Sequence, residues 1–310
     1  MKNALFYLIT VLIWGSTWLG IKLQLGVVDP MVSVTYRFAL ASALLLAWCV
    51  VGKMNMRFTW REHGFMLLQG MLLFGFNYLF LYKAELYITS GLAAVLFSTI
   101  LVMNIVNGAL FLGSPIDGKV VIGGGLGLLG IILVFLPEIS HFSFDNHGVR
   151  GIALCLLATL FASWGNITSA RNQKKRLPII QSNAFGMGYG SLVMGAMALI
   201  GGKTFSIEVS AVYLGSLAYL AVFGSIIAFG CYLSLVGTIG ADRAAYSTLL
   251  FPLVALAIST VWEGYAWSVA SLSGVALILI GNLCILVRKR TGRQPAPALA
   301  GKLGISGEIA

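Results

Sequence analysis

The sequence predicts an all-α integral membrane protein of ten transmembrane helices, arranged as two inverted five-helix repeats. First, 59% of its 310 residues are hydrophobic and 10% are charged, whereas soluble domains carry about 25% charged residues. Second, uncharged apolar runs recur along the chain. Crossing the hydrocarbon takes about 20 apolar residues, and continuous rather than alternating runs indicate helices instead of a barrel. Third, weak internal matches share one spacing. TVLIWGSTW around Trp14 aligns with TLFASWGNI around Trp164 at an offset of 150, Tyr82 aligns with Tyr232 at the same offset, and Ile88–Ala94 resembles Ile239–Ala245 at 151. Five spans per half is an odd number, so the second half must cross the membrane in the opposite sense. Solute sites in such repeats lie near the midplane where the halves meet.

The first half, 1–140, holds spans at 4–22, 31–51, 64–82, 88–112 and 120–137. Span 1 has no small-residue cleavage site and is followed by further spans, so it reads as a retained helix. Span 2 carries Ala39, Ala43 and Ala47 at helical spacing, a pattern that lets helix backbones approach closely. Span 3 ends on an elbow with Lys83 and Glu85, beyond which no Asp, Glu, Lys or Arg occurs from Leu86 to Ile116. Span 5 contains Gly123 and Gly127, again a close-packing pattern. Its Gly125-Leu-Gly127-Leu-Leu-Gly130 matches a dinucleotide-binding motif by chance, since no strand precedes it.

The second half, 141–290, holds spans at 149–170, 179–200, 211–235, 243–262 and 267–287. Asn166-Ile-Thr168 has the form of a glycosylation site but lies inside span 6. Span 7 repeats the small-residue spacing at Gly186 and Gly190. Gly201-Gly-Lys203-Thr204 ends like a phosphate loop, yet Met197 stands where the opening glycine is needed. Span 9 contains Pro252, which frees a carbonyl near Thr248 and serves either as a hinge or as a static kink. Residues 291–310 are rich in Pro, Gly and small residues and read as a disordered tail.

The net charge of +10 follows topology. With a cytoplasmic N-terminus, Lys2, Lys53, Arg57, Arg61, Lys119, Arg171, Lys174, Lys175, Arg176, Arg243, Arg288, Lys289, Arg290, Arg293 and Lys302 all fall on the cytoplasmic side, which is 15 of the 20 basic residues. The positive-inside rule then sets both termini in the cytoplasm of an inner-membrane protein and removes nucleic acid as a partner. Cys49, Cys155, Cys231 and Cys284 fall within spans as small apolar side chains.

An ionisable residue within a span costs about 2.5 to 3.5 kcal/mol at the bilayer centre, so each is a functional candidate. Arg37 lies about two turns into span 2 from the outer face, where it either faces a ligand or snorkels. Lys83 and Glu85 contact solute, form a gate, or anchor the interface. Glu85 could pair with Arg37 or Lys22. Proton coupling would fall to Glu85, because no carboxylate lies near the midplane. Trp14, Asn77, Tyr78, Asn104, Asn107, Trp164 and Asn166 lie deeper than interface residues should, and a buried Asn needs a partner from a helix or a ligand. His63, His141 and His147 lie in loops. The sequence offers no catalytic constellation, metal-ligand cluster or cofactor motif, which places a membrane enzyme or lipid-modifying protein behind a carrier of small molecules.

WGSTW in span 1, YRFALASALLL in span 2, NYLFLYKAELYITSGLAAVLF through the elbow and ADRAAYSTLLFPLVALAISTVWEG in span 9 resemble the EamA family of the drug/metabolite transporter superfamily. The resemblance covers nearly the whole chain except the tail. It implies two inverted repeats around a central cavity and transport, usually export, of small metabolites such as amino acids or drugs. Trp14, Arg37, Pro252 and Glu263 match family positions. Leu101 stands where a first-half proline is expected, and Ser114-Pro115 replaces an acidic residue, which leaves symmetric hinging of spans 4 and 9 open.

Overall fold

The computed structural model describes residues 2–88, 90–136, 146–251, 253–254, 257 and 267–286. Among them every regular element is a helix. In chain order these are α1 (Lys2–Lys22), α2 (Pro30–Val51), α3 (Trp60–Ala84), α4 (Ser90–Phe97), α5 (Ile100–Leu112), α6 (Gly118–Val134) and α7 (Asn146–Lys174). They continue with α8 (Ile179–Ile200), α9 (Ala211–Ile239), α10 (Ala241–Ala244, running into a 3₁₀ turn over Ala245–Leu250) and α11 (Val269–Leu286). Seven apolar helical segments of the described chain are long enough to cross a membrane, and α6 and Val269–Gly281 are shorter apolar helices. Part of the ninth expected span, from Pro252 on, falls outside the described residues except for 253–254 and 257, and Glu263 and the 291–310 tail lie outside them too. The protein is a multi-pass helical membrane protein, and its outer skin is accordingly apolar, with Leu5, Leu8, Leu12, Leu19 and Trp48 exposed.

Local chemistry sets the helix ends. Asp29 caps α2 by accepting from the Met31 amide at 2.9 Å, with Pro30 in the first turn, where its missing N–H costs nothing. Thr59 and Glu62 form a reciprocal capping box at the start of α3. α2 then lies along α8, α6 along α11, α3 against α7 and α1 against α9.

Glycine decides two crossings, α3 with α8 and α6 with α11. A Cβ at Gly70 of α3 would strike the Gly186 carbonyl of α8, and one at Gly190 would sit 2.7 Å from the Gly70 carbonyl. At the α6–α11 crossing, a Cβ on Gly130 would lie 2.6 Å from the Gly274 carbonyl and one on Gly281 would lie 2.5 Å from that of Gly123. The small-residue spacing of spans 5 and 7 thus marks real contacts. That of span 2 does not: Ala39, Ala43 and Ala47 face outward, and α2 packs inward through Phe38, Ala41, Ser42 and Leu45.

Among the described residues four places depart from α-helical pairing. Within α3, Gly70–Phe76 is a π-helix, and within α9, Leu220–Ile227 is another. Span 4 is interrupted at Ser98–Thr99, between α4 and α5, although Leu101 and not proline stands in it. There the Thr99 hydroxyl donates to the Leu96 carbonyl at 2.6 Å, and the backbone pairs three residues back. The 3₁₀ turn of Ala245–Leu250 shows the same device, with Ser247 and Thr248 donating to the carbonyls of Ala244 and Ala245.

Candidate functional site

The interrupted helices surround a cavity of about 50 Å³ lined by α1, α3, α4, α5, α7, α9 and the segment after α10. A water occupies about 10–15 Å³ on this measure, so the space admits only a few. Its wall is aromatic. Trp14 meets Phe229 and Phe251 edge-on at 4.7 and 5.5 Å between centroids and Tyr232 at a tilt at 4.9 Å, and Trp18 meets Phe97 edge-on at 6.3 Å.

The π-helices explain how polar groups reach this wall. Past the first, the Asn77 amide bonds five residues back to Leu72, and the Asn77 Nδ2 donates to the Leu73 carbonyl at 3.2 Å. Past the second, the Ala228 amide bonds to Phe223, and the Gly224 carbonyl accepts from Trp14 Nε1 at 3.0 Å. Each π turn shifts one carbonyl out of the usual ladder, and a side chain on the cavity wall takes it. Asn166 Nδ2 donates to the Tyr232 hydroxyl at 3.0 Å. The Oδ1 atoms of Asn77 and Asn166 and the Trp18 Nε1 are buried without a hydrogen-bond partner, so the wall offers two acceptors and one donor.

A second space of about 550 Å³ opens where α1 begins and α7 and α9 end. Lys2, Asn104, Ser114, Gln173, Lys174 and Asp242 line this vestibule. Asn104 Nδ2 donates to the Ala241 carbonyl at 3.1 Å, and Asn107 Nδ2 to Ser163 Oγ at 2.8 Å. Tyr232 and Asn166 line the small cavity, and Asn104 and Ile167 line the vestibule. These residues form the partition between the two spaces. Beside the vestibule, Arg243 pairs with Asp117 at 2.7 Å, and the Lys119 amide and Arg243 hold the Asp117 carboxyl below its ordinary range. At the opposite end Lys203 pairs with Asp29 at 2.9 Å.

Of the residues singled out from the sequence, Trp14, Asn77, Tyr78 and Asn166 share the small cavity. Arg37 does not snorkel. It is 0% exposed, its Nε donates to Ser225 Oγ at 3.0 Å, and its guanidinium carbon lies 4.4 Å from the Tyr78 ring centroid. Glu85 makes no ion pair with Arg37 or Lys22; both carboxylate oxygens are buried and unpartnered. Lys83 is half-buried and lines neither space. Trp164 also lies outside both linings and packs edge-on against Phe161 at 5.7 Å. Sequence reasoning missed Ser225, Tyr232 and the two π turns. A signal for the span 4 break was present, since Phe97-Ser-Thr99 recurs as Tyr246-Ser-Thr248.

The sequence model described as the EamA-like transporter family matches residues 1–136 and 149–287. An "Uncharacterized transporter" of Archaeoglobus fulgidus is 25% identical over 294 residues, covering 94% of this chain and 100% of the relative. "Protein PagO" of Salmonella typhimurium is 24% identical over 292 residues, covering 92% and 93%. "Uncharacterized transporter YdfC" of Bacillus subtilis is 25% identical over 279 residues, covering 89% and 88%. A solved structure described as "Crystal structure of protein" superposes with a TM-score of 0.75 at 17% identity, covering 92% of this chain and 96% of that one, a likeness of fold.

Proposed function

The chain belongs to the EamA-like transporter family, and from that premise we propose that it is a secondary transporter that exports a small amino-acid-like or drug-like metabolite across the inner membrane by alternating access. The observation that carries this reading is the pair of spaces. A wide vestibule edged by Lys2, Lys174 and Asp242 opens at one end, and a narrow aromatic cavity with unpaired polar atoms lies beyond a partition of Tyr232, Asn166 and Asn104. By the charge distribution the vestibule faces the cytoplasm, where both termini lie. A solute enters there, displaces the partition and settles against Trp14, Asn77, Tyr78 and Asn166. Lys83, Glu85 and Trp164 act from outside the wall, Glu85 as the site of any proton coupling, and Pro252 serves as the hinge of span 9.

Several features support two inverted repeats, 1–140 and 141–290, with ten spans. The π-helices begin at Gly70 and Leu220, an offset of 150 that equals the Trp14–Trp164 spacing. The break at Ser98–Thr99 and the 3₁₀ turn of Ala245–Leu250 occupy corresponding places. Helix neighbours also correspond: advancing each span by five turns the α3–α7 contact into the α9–α1 contact, while α2–α8 and α6–α11 map onto themselves.

The test compares metabolites in medium and cytoplasm of cells producing the wild type or an Asn77→Ala, Asn166→Ala double variant at equal level, followed by labelled-solute flux in proteoliposomes. A compound enriched in the medium only with the wild type, and moved unchanged by the purified protein, supports export. Covalent alteration of the solute would identify a membrane enzyme or lipid-modifying protein. Movement that never exceeds equilibration would identify a passive facilitator. Flux insensitive to a proton gradient would remove Glu85 coupling.

A further inference from the structure

Arg37 is a buried cation to which the described residues offer no counter-charge. The two ion pairs among them lie elsewhere, at Lys203–Asp29 and Arg243–Asp117. Nε of the Arg37 guanidinium donates to Ser225 Oγ at 3.0 Å, Ser225 donates to the Leu220 carbonyl at 2.9 Å at the start of the second π-helix, and the Tyr78 and Tyr82 hydroxyls approach the group. Phe38 and Tyr78 cover its faces, with ring centroids 5.1 and 4.4 Å from the guanidinium carbon. The end-on edge, Nη1 and Nη2, is excluded from solvent and completes no hydrogen bond.

That edge lies next to the cavity. A Cβ on Gly224 would fall 3.0 Å from Thr17 Cγ2 and 3.2 Å from Arg37 Nη2, so the nitrogen sits beside Thr17. Thr17 and Tyr78 both line the cavity. A guanidinium fixed through Nε leaves two parallel N–H groups at the spacing of the two oxygens of a carboxylate. An unpaired buried charge is costly and marks a functional candidate, and a solute carboxylate would match it.

We propose that Arg37 receives a carboxylate of the transported solute, which makes the substrate class an organic acid whose apolar body rests against Trp14, Trp18 and Tyr78. This rests on the reading of the cavity as the solute compartment. At about 50 Å³ the cavity must widen as such a molecule binds, and Tyr78, between Arg37 and the cavity, is the side chain that yields.

The test uses the purified full-length chain in nanodiscs and two probes of one shape, phenylacetate and its uncharged amide, read by thermal unfolding over a concentration series. Phenylacetate raises the unfolding temperature of the wild type and the amide does not. Arg37→Gln weakens the phenylacetate response about tenfold or more, as expected for a lost charge-assisted pair, and Arg57→Gln, a change at an exposed cation far from the cavity, leaves it unchanged. Without probe, Arg37→Met unfolds at or above the wild-type temperature, because it removes an unmatched buried charge. No phenylacetate response in the wild type, an equal response to the amide, or a response that survives Arg37→Gln overturns the proposal. So does a large drop in unfolding temperature for Arg37→Met, which would make Arg37 a structural anchor. Phenylacetate binding without flux of any solute would remove the transport reading and leave this one standing. Flux of a neutral or cationic solute without phenylacetate binding would remove this one alone.

Discussion

Replacing Trp14 by Phe isolates one hydrogen bond at the centre of the protein. Trp14 Nε1 donates to the Gly224 carbonyl at 3.0 Å, a carbonyl that the second π-helix has shifted out of the backbone ladder. Phenylalanine keeps an aromatic ring against Phe229 and Phe251 but has no donor. The Gly224 carbonyl then loses its side-chain partner, which costs about 1–3 kcal/mol. The smaller ring also gives up part of an edge-on contact that contributes about 0.5–1.5 kcal/mol. A total loss of about 2–3 kcal/mol follows. Equilibrium unfolding in mixed micelles measures it, and solute flux in proteoliposomes should fall in the same variant, because the π turn also carries Ser225 and the Phe229 wall. Asn77→Leu, which removes the corresponding side-chain bond to Leu73 in the first half, serves as the symmetry control. A loss below about 0.5 kcal/mol for Trp14→Phe would place the indole bond among those worth little and refute the account of the π carbonyls.

Further outcomes follow from other contacts. Gly70→Ala places a methyl on the Gly186 carbonyl, so the α3–α8 crossing must open at a cost of about 1–3 kcal/mol or more; a stability unchanged in the same unfolding assay would deny that close approach. Asn166→Leu removes the bond to Tyr232 together with an unpaired acceptor and should leave stability within about 1 kcal/mol. Flux in that variant should fall about tenfold, equivalent to about 1.4 kcal/mol in the barrier, and undiminished flux would remove Asn166 from the partition. The Asp117–Arg243 pair, whose side chains are 33% and 42% exposed, contributes about 0.5 kcal/mol after solvent screening. Because the folded Asp117 carboxyl titrates below its ordinary value, that increment is present above the unfolded carboxylate range, near 3.9, and disappears as pH falls through the lower folded value. Unfolding of Asp117→Asn against the wild type at pH 7 and below pH 3 measures the difference, and a larger gap at low pH would contradict the sign. Cys284 is exposed while Cys49, Cys155 and Cys231 are buried, so a maleimide in mild detergent should label a single site by mass spectrometry.

The all-helical membrane class followed from composition and from run length alone, since no polar backbone survives in hydrocarbon outside a helix or a closed barrel. The positions of seven membrane-crossing helices followed as well, because uncharged runs and glycine spacings such as Gly186–Gly190 are local signals. The residues Trp14, Asn77, Tyr78 and Asn166 could be chosen from depth, as polar or amphipathic groups where lipid offers them no partner. Depth could not say which way a side chain points. Ala39, Ala43 and Ala47 carry the same spacing as the glycines of spans 5 and 7 and face outward, because without Cβ contacts on a partner helix a small residue is equally at home against lipid.

Only the tertiary structure decided what each polar group meets. Arg37 and Ser225 are 188 positions apart, Trp14 and Gly224 are 210 apart, and no local pattern encodes those meetings. The two π-helices were likewise invisible in the sequence, since one extra residue per turn changes hydrogen-bond partners without changing hydropathy. Composition and periodicity thus determined that this chain lives in a membrane as a set of helices. The packing of its two halves determined where those helices break, which carbonyls come free, and which side chains gather to take them.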